Sequence, residues 1–264
     1  MSIREMAIKG LPIDNVLIID SHDHLGRWHD FYIPQGGTVE QMVSSMDNIG
    51  IDKICVTAHS SIGPDYIYGN NLVFEALRKF PDRVFGYVTV NPNYPEDMQH
   101  ELDRCFANEL FKGIKLHPAL HGRAVDYTGY KAAYEEADKR GCPILIHIWG
   151  SDDLAKVESL SAVYTNAKFI MGHSGGDTTS MVIAAELINK RDNVYGDFAV
   201  SGKPEGNVEW FVKEVGSKKL LFGSDMPFYD PRPTFCRIAL SNISEEAKMD
   251  ILGLNMARLL KLKI

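Results

Sequence analysis

The sequence lacks the features that mark several large classes of protein. With 28 Lys and Arg against 35 Asp and Glu, its net charge is −7, and no basic run supplies the face that nucleic-acid binding requires. No apolar stretch reaches the length that crosses a membrane. A P-loop is also missing, which argues against phosphate-loop chemistry. We therefore expect neither nucleic acid nor a membrane among its partners.

Cysteine is scarce, with four residues in 264, and no two of them form a C-x-x-C pair. Such a set is typical of reduced thiols and not of a disulfide framework. The first ten residues carry scattered charges and no long apolar stretch, so no signal peptide is predicted. We expect a cytoplasmic protein. Its oligomeric state stays open, a homo-oligomer included.

Eight apolar runs recur along the chain, and most are continuously hydrophobic, as buried parallel strands are. The runs are Val16–Asp20, Lys53–His59, Val84–Asn91, Phe111–His117, Pro143–Trp149, Lys168–His173, Asn193–Phe198 and Lys219–Asp225. Helical patterns lie between them, the clearest from Thr38 to Ile49. Eight strand–helix units in a chain of this length predict a closed (β/α)8 barrel and a single domain, 1–264. The segments 26–37 and 60–71 are predicted to be active-site loops.

Metal-binding side chains stand at the ends of these runs. His22 and His24 close the first run, and His147, His173 and Asp225 end three later ones. The carboxyl ends of barrel strands meet at one rim, and residues two apart on a strand face the same side. Neutral imidazoles with a carboxylate suit zinc or another divalent metal at an open catalytic site. These five residues are therefore the predicted metal ligands.

Two further polar residues end the fourth run. Lys115 has apolar neighbours, which is unusual for a lysine, and His117 follows it. Lys115 can pair with a carboxylate, bind a substrate carboxylate together with His117, or be carboxylated and bridge two metal ions. The sequence does not choose among these, and we assign both residues to substrate binding.

The combined motifs resemble the amidohydrolase superfamily, and within it the second amidohydrolase family, which includes aminocarboxymuconate-semialdehyde decarboxylase and several lactonases and hydratases. The resemblance is carried by Asp20-Ser-His-Asp-His24, by Gly113-Ile-Lys-Leu-His-Pro118, by His147 and His173, and by Gly223-Ser-Asp-Met-Pro227. It covers nearly the whole chain, and Leu252–Leu260 is similar to that family's closing helix.

The resemblance implies a distorted (β/α)8 TIM barrel. It also implies that His22, His24, His147 and Asp225 hold one catalytic metal, most often zinc, with His173 beside the water or substrate. Two ions with a carboxylated Lys115 are the alternative arrangement.

We predict a hydrolase in which a metal-activated water attacks a small carbonyl substrate, a lactone, amide or related compound that carries a carboxylate. Asp225 is predicted to transfer the proton and His173 to orient the water or stabilise developing charge. The alternative reaction is non-oxidative decarboxylation of an aromatic or muconate-like acid. A barrel that only binds metal or ligand, without turnover, is the non-enzymatic alternative.

Overall fold

The computed structural model describes residues 1–29, 31–199 and 203–263, and its centre is one sheet of eight parallel strands in chain order. These strands are β1 Ile19–Leu25, β2 Lys53–Ala58, β3 Val84–Thr89, β4 Phe111–Leu116, β5 Pro143–His147, β6 Lys168–Gly172, β7 Val194–Asp197 and β8 Leu220–Leu221. The predicted strand–helix alternation and parallel pairing are confirmed.

Backbone hydrogen bonds between β1 and the segment that follows β8 bring the two edges of the sheet together. The amide of Ser21 donates to the carbonyl of Phe222 at 2.9 Å, and the amide of Asp225 donates to the carbonyl of His22 at 2.8 Å. The amide of His24 donates to the carbonyl of Met226, also at 2.8 Å. The sheet is thus a nearly closed barrel, and the predicted (β/α)8 architecture is confirmed.

Helices connect the strands and cover the outside of the barrel. They are α1 Ile3–Ile8, α2 Val39–Ile49, α3 His59–Ile62, α4 Tyr66–Lys79, α5 Pro95–Phe106, α6 Pro118–His121, α7 Lys131–Arg140, α8 Ser151–Val163, α9 Thr178–Lys190, α10 Asn207–Val215, α11 Pro231–Ala239, α12 Glu245–Met249 and α13 Asn255–Leu259. None of the helices in the described ranges combines the length and the apolar character needed to cross a lipid bilayer.

Helix α2 shows how local sequence sets these elements. The hydroxyl of Thr38 accepts from the amide of Gln41, whose side chain accepts from the amide of Thr38, so the two form a capping box. Gly50 ends the helix at φ 93°, a left-handed conformation that glycine adopts without strain. The apolar stripe that includes Met42 and Met46 is buried against the barrel.

Two predicted boundaries were wrong. The first strand runs from Ile19 to Leu25 and not from Val16 to Asp20, and the two histidines lie near its carboxyl end. Segment 60–71, predicted as a loop, contains the end of α3 and the start of α4. Asp65 caps α4 by accepting from the amide of Tyr68, a helix-start signal that the sequence analysis overlooked.

A layer of buried side chains fills the interior of the barrel below the site. It includes Ile19, Cys55, Phe85, Tyr87, Leu145, Ile170 and Leu221. Simple alternation from Ile19 would point Ser21 and Asp23 into this interior. The register of β1 against β2 shifts between Asp20 and Asp23, and such bulges re-aim side chains next to active sites. The shift therefore brings His22 and His24 to the interior face.

Candidate active site

A buried cluster of two histidines and one carboxylate lies at the carboxyl end of the barrel. Nε2 of His24 is 3.0 Å from Oδ1 of Asp225, and Nε2 of His22 is 3.7 Å from the same oxygen. One ligand atom from each of the three residues lies within 4.8 Å of the other two. Asp225 has φ 65°. The hydrogen bond from its backbone amide to the carbonyl of His22 fixes this backbone against β1. The structure thus brings together three of the five residues predicted as metal ligands.

Asp197, the last residue of β7, completes the support of this cluster. Nδ1 of His22 lies 2.8 Å from Oδ2 of Asp197, and the amide of His173 donates to Oδ1 at 2.6 Å. A carboxylate partner holds the proton on Nδ1 of His22 and leaves the Nε2 lone pair for a metal ion. Asp197 was not predicted from the sequence, although its place next to the end of the seventh apolar run was a usable signal.

The electrostatics of the cluster favour neutral imidazoles beside an ionised carboxylate. Burial, followed by the charge of Lys115, holds the pKa of His22 and of His24 well below the ordinary value. Burial alone would raise the pKa of Asp225, but electrostatic interactions with His22, His173 and the ammonium group of Lys115 keep it below the ordinary value. These are the protonation states in which the side chains bind a divalent metal.

Unpaired nitrogen atoms support a metal at this place. Among the described residues, Nδ1 of His24 and Nδ1 of His173 are buried without a hydrogen-bond partner. Buried polar atoms are rarely left unsatisfied, and clusters of them are typical of sites that receive a further group. His173 also forms a second group of ligand atoms with His22 and Asp197, all within 4.8 Å of one another. The donor set therefore fits a divalent cation.

His147 lies outside both of these three-residue groups. Its Nδ1 is 3.0 Å from Nε2 of His173, so the two imidazoles are hydrogen-bonded. On its other side the ring stacks on His117, with centroids 3.9 Å apart and planes at 13°. A metal-ligand role for His147 stays a prediction, and its observed ring contacts include these two histidines and Trp149, whose ring centroid is 6.4 Å away.

Lys115 lies in the barrel interior and not at the rim, where a contact with substrate was expected. It is fully buried, and its Nζ is 2.7 Å from Nε2 of His22. Burial lowers the pKa of its ammonium group to about 8. The side chain does not line the cavity described below, so this position gives the predicted substrate contact no support. Carboxylation of Lys115 stays a prediction.

A cavity of about 240 Å³ opens above the cluster. Its polar wall is formed by imidazoles and one carboxylate, those of His24, His59, His117, His147 and Asp225. Its apolar wall is formed by Trp28, Phe31, Ile62, Leu120 and Phe228. This volume is below the range usual for drug-sized ligands, so the cavity suits a small molecule. Of the two predicted substrate-binding residues, His117 lies in the wall.

Replacing Asp197 with asparagine should weaken divalent-metal binding by about 10- to 100-fold. The neutral amide of asparagine lacks the negative charge with which the Asp197 carboxylate holds the proton on Nδ1 of His22. The dissociation constant for Mn²⁺ or Zn²⁺ can be measured by competition with a chromophoric chelator. Asp192→Asn is the matched control, since Asp192 is fully exposed and its nearest charged partner is Lys219 at 3.7 Å. An unchanged constant in Asp197→Asn would show that Asp197 does not support the metal site.

Comparison with known sequences gives two matches. The family model described as amidohydrolase matches residues 19–262. A 2-amino-3-carboxymuconate-6-semialdehyde decarboxylase of Dictyostelium discoideum is 23% identical over 237 residues, which cover 74% of this chain and 66% of that protein. The chain thus spans slightly less than two thirds of that relative's length.

Comparison with solved structures finds the same fold. The 2,6-dihydroxybenzoate decarboxylase from Rhizobium superposes with a TM-score of 0.77 at 15% identity, covering 93% of this chain and 99% of that chain. The 5-carboxyvanillate decarboxylase of Novosphingobium aromaticivorans, solved with manganese and a nitrobenzoic acid, gives 0.73 at 16% identity, covering 94% and 97%. At this level of identity the structural likeness shows the fold alone.

Proposed function

Since the chain belongs to the amidohydrolase family, we propose that it is a metal-dependent decarboxylase that removes CO2 from a small aromatic or conjugated carboxylic acid. The observation that carries the proposal is a small cavity with aromatic walls directly above the cluster of His22, His24 and Asp225. The relatives named above, in sequence and in structure, are decarboxylases of such acids.

The proposed metal site uses His22, His24 and Asp225, with His147 as a further predicted ligand. A divalent cation there supplies positive charge that stabilises the negative charge of the substrate. The metal is proposed only as a divalent ion: zinc was expected from the sequence, whereas the Novosphingobium enzyme holds manganese.

The chain's own residues are proposed to position the acid and to move one proton. When the bond between carboxylate and carbon breaks, CO2 leaves, and the electron pair left on carbon takes up a proton. Asp225 lines the cavity and is ionised at rest, so it can take up a proton and deliver it to that carbon. The hydrogen bond between His173 and His147 links the buried cluster with the cavity wall and gives protons a path between them.

The apolar wall has a part in this chemistry. Phe31 and Phe228 meet edge to face with ring centroids 4.3 Å apart, and Trp28 contacts His59 at 5.3 Å. Such a wall favours a flat ring, and its buried or half-buried members Trp28, Ile62 and Phe228 reduce the contact of water with the departing carboxylate.

Product analysis tests decarboxylation against hydrolysis, the reaction first predicted from the sequence. The metal-loaded protein is incubated in D2O or in H2¹⁸O with hydroxybenzoates and with a panel of lactones and amides. Decarboxylation releases CO2 and places one deuterium on the product carbon, without ¹⁸O in the organic product. Hydrolysis places ¹⁸O in the product and releases no CO2, and that outcome would overturn the proposal.

Removal of the metal completes the test. Treatment with a strong chelator should abolish CO2 release, and added Mn²⁺ or Zn²⁺ should restore it. Full activity in protein shown by elemental analysis to be metal-free would exclude the proposed metal dependence.

A further inference from the structure

No residue of the ranges 1–29, 31–199 and 203–263 that lines the cavity has a lysine or arginine side chain. Among the described residues, those that line it include four histidines and Asp225 but neither lysine nor arginine. The five residues outside the described ranges are Asp30, Val200, Ser201, Gly202 and Ile264, so none of them supplies a cation either. An enzyme that holds a carboxylate away from its metal normally uses an arginine or lysine for that purpose.

Four lysine and arginine side chains that follow or end barrel strands in the sequence have other partners. Arg232 is bonded to Asp230, and Arg123 donates to Asn93 at 2.7 Å. Nζ of Lys203 donates to the carbonyls of His173 and Gly176 at 2.9 and 2.6 Å. Lys115 is bound to His22 below the cavity. These four cations are therefore engaged with other groups, and Arg27, the exposed arginine that precedes Trp28, is tested separately below.

The imidazoles of the wall do not replace such a cation. Nδ1 of His59 is 2.9 Å from the carbonyl of Gly26, and Nδ1 of His117 faces the amide of Leu120 at 3.4 Å. Each ring is left with one nitrogen for a ligand, which is a weaker partner for a carboxylate than the paired donors of a guanidinium. The carboxylate of Asp225, in the same wall, repels a second anion.

On the basis of the proposed function, we propose that this enzyme selects a small aromatic or conjugated acid with a single carboxylate, the one that leaves, and discriminates against the corresponding dicarboxylate. Trp28, Phe31 and Phe228 then contact the uncharged part of the ring. A second carboxylate placed against this wall loses part of its hydration and gains no counter-charge.

Equilibrium binding to the metal-loaded protein tests this selectivity without turnover. The probes are 2-hydroxybenzoate and its derivatives with a carboxylate or a carboxamide at position 5. The carboxamide is neutral and has nearly the same size as the second carboxylate. We expect the parent acid and the amide to bind alike, and the dicarboxylate to bind about 10- to 100-fold more weakly, as an unpaired buried charge requires. Calorimetry or quenching of tryptophan fluorescence measures the constants.

A cation added to the wall should reverse the discrimination. Leu120 lines the cavity and is 40% exposed, so it can accept a longer side chain. Leu120→Arg should tighten binding of the dicarboxylate by about tenfold, through a charge-assisted pair, and leave the amide unchanged. Leu120→Gln is the neutral comparison at the same position, and there the ratio of the dicarboxylate and amide constants should stay as in the unmodified protein, so that only the arginine alters the discrimination. Arg27→Gln tests the exposed arginine that precedes Trp28, and it should leave all three constants unchanged.

The outcomes separate this inference from the proposed function. Equal binding of the dicarboxylate and the amide to the unmodified protein, or loss of dicarboxylate binding in Arg27→Gln, overturns the selectivity. Selective binding of the monocarboxylates without CO2 release supports the selectivity and contradicts the decarboxylase proposal. CO2 release from mono- and dicarboxylate at equal kcat/KM supports the decarboxylase and overturns the selectivity.

Discussion

Replacing Asp225 with asparagine should lower kcat by about 10²- to 10⁴-fold, because the variant loses the group proposed to carry a proton to the reacting carbon. The change also removes the negative charge that the proposed metal site contributes. Asparagine has nearly the same size as aspartate and tolerates the left-handed backbone at φ 65°. The fold should therefore be retained, and the loss should be confined to turnover and metal binding.

Asp230→Asn is the matched control for this variant. Asp230 follows Asp225 by five residues, is exposed, and pairs with Arg232 instead of facing the cavity. Its kcat should equal that of the unmodified protein. Circular dichroism and the melting temperature should be similar for both variants. An unchanged kcat in Asp225→Asn would refute the proposed role of this carboxylate.

The sequence was sufficient to predict the fold and the centre of the site because both rest on repeating physical patterns. Continuous apolar runs predict buried parallel strands, and the carboxyl ends of such strands must share one rim. His22, His24 and Asp225 were therefore expected to meet although Asp225 lies two hundred residues along the chain, and the structure places one ligand atom of each within 4.8 Å of the others.

The parts that the sequence did not give depend on local register and on side-chain direction. The shift in β1 between Asp20 and Asp23 decides which alternate residues face the interior, and hydrophobicity cannot reveal a shift among polar residues. Lys115 was expected at the rim of the barrel, because it lies near the carboxyl end of the fourth predicted strand. The side chain instead points inward to His22, where burial leaves it no contact with the cavity.

Asp197 shows a different limit. A carboxylate at the end of an apolar run is visible in the sequence, but its partner is set only by the fold, since His22 lies 175 residues away. Metal ligands can therefore be distinguished from the groups that support them only when the distances between their side chains are known. The same holds for His147 and His173, which looked equivalent as strand-ending histidines and have different surroundings.

Replacing His173 with asparagine should lower kcat by about 10²- to 10⁴-fold, because the variant interrupts the proposed proton path between the buried cluster and His147. Asparagine suits the backbone of this residue, which has φ 67°. His100→Asn, an exposed histidine on α5, is the control and should keep full activity.

Metal content decides whether His173 acts on protons or holds an ion. Its ligand atoms lie close to those of His22 and Asp197, so the geometry permits either role. If His173 serves proton transfer, His173→Asn should keep the metal stoichiometry of the unmodified protein while kcat falls. If elemental analysis showed that the variant loses one metal ion per chain, His173 would be a ligand, and the proton path would have to run through Asp225 and His147 alone.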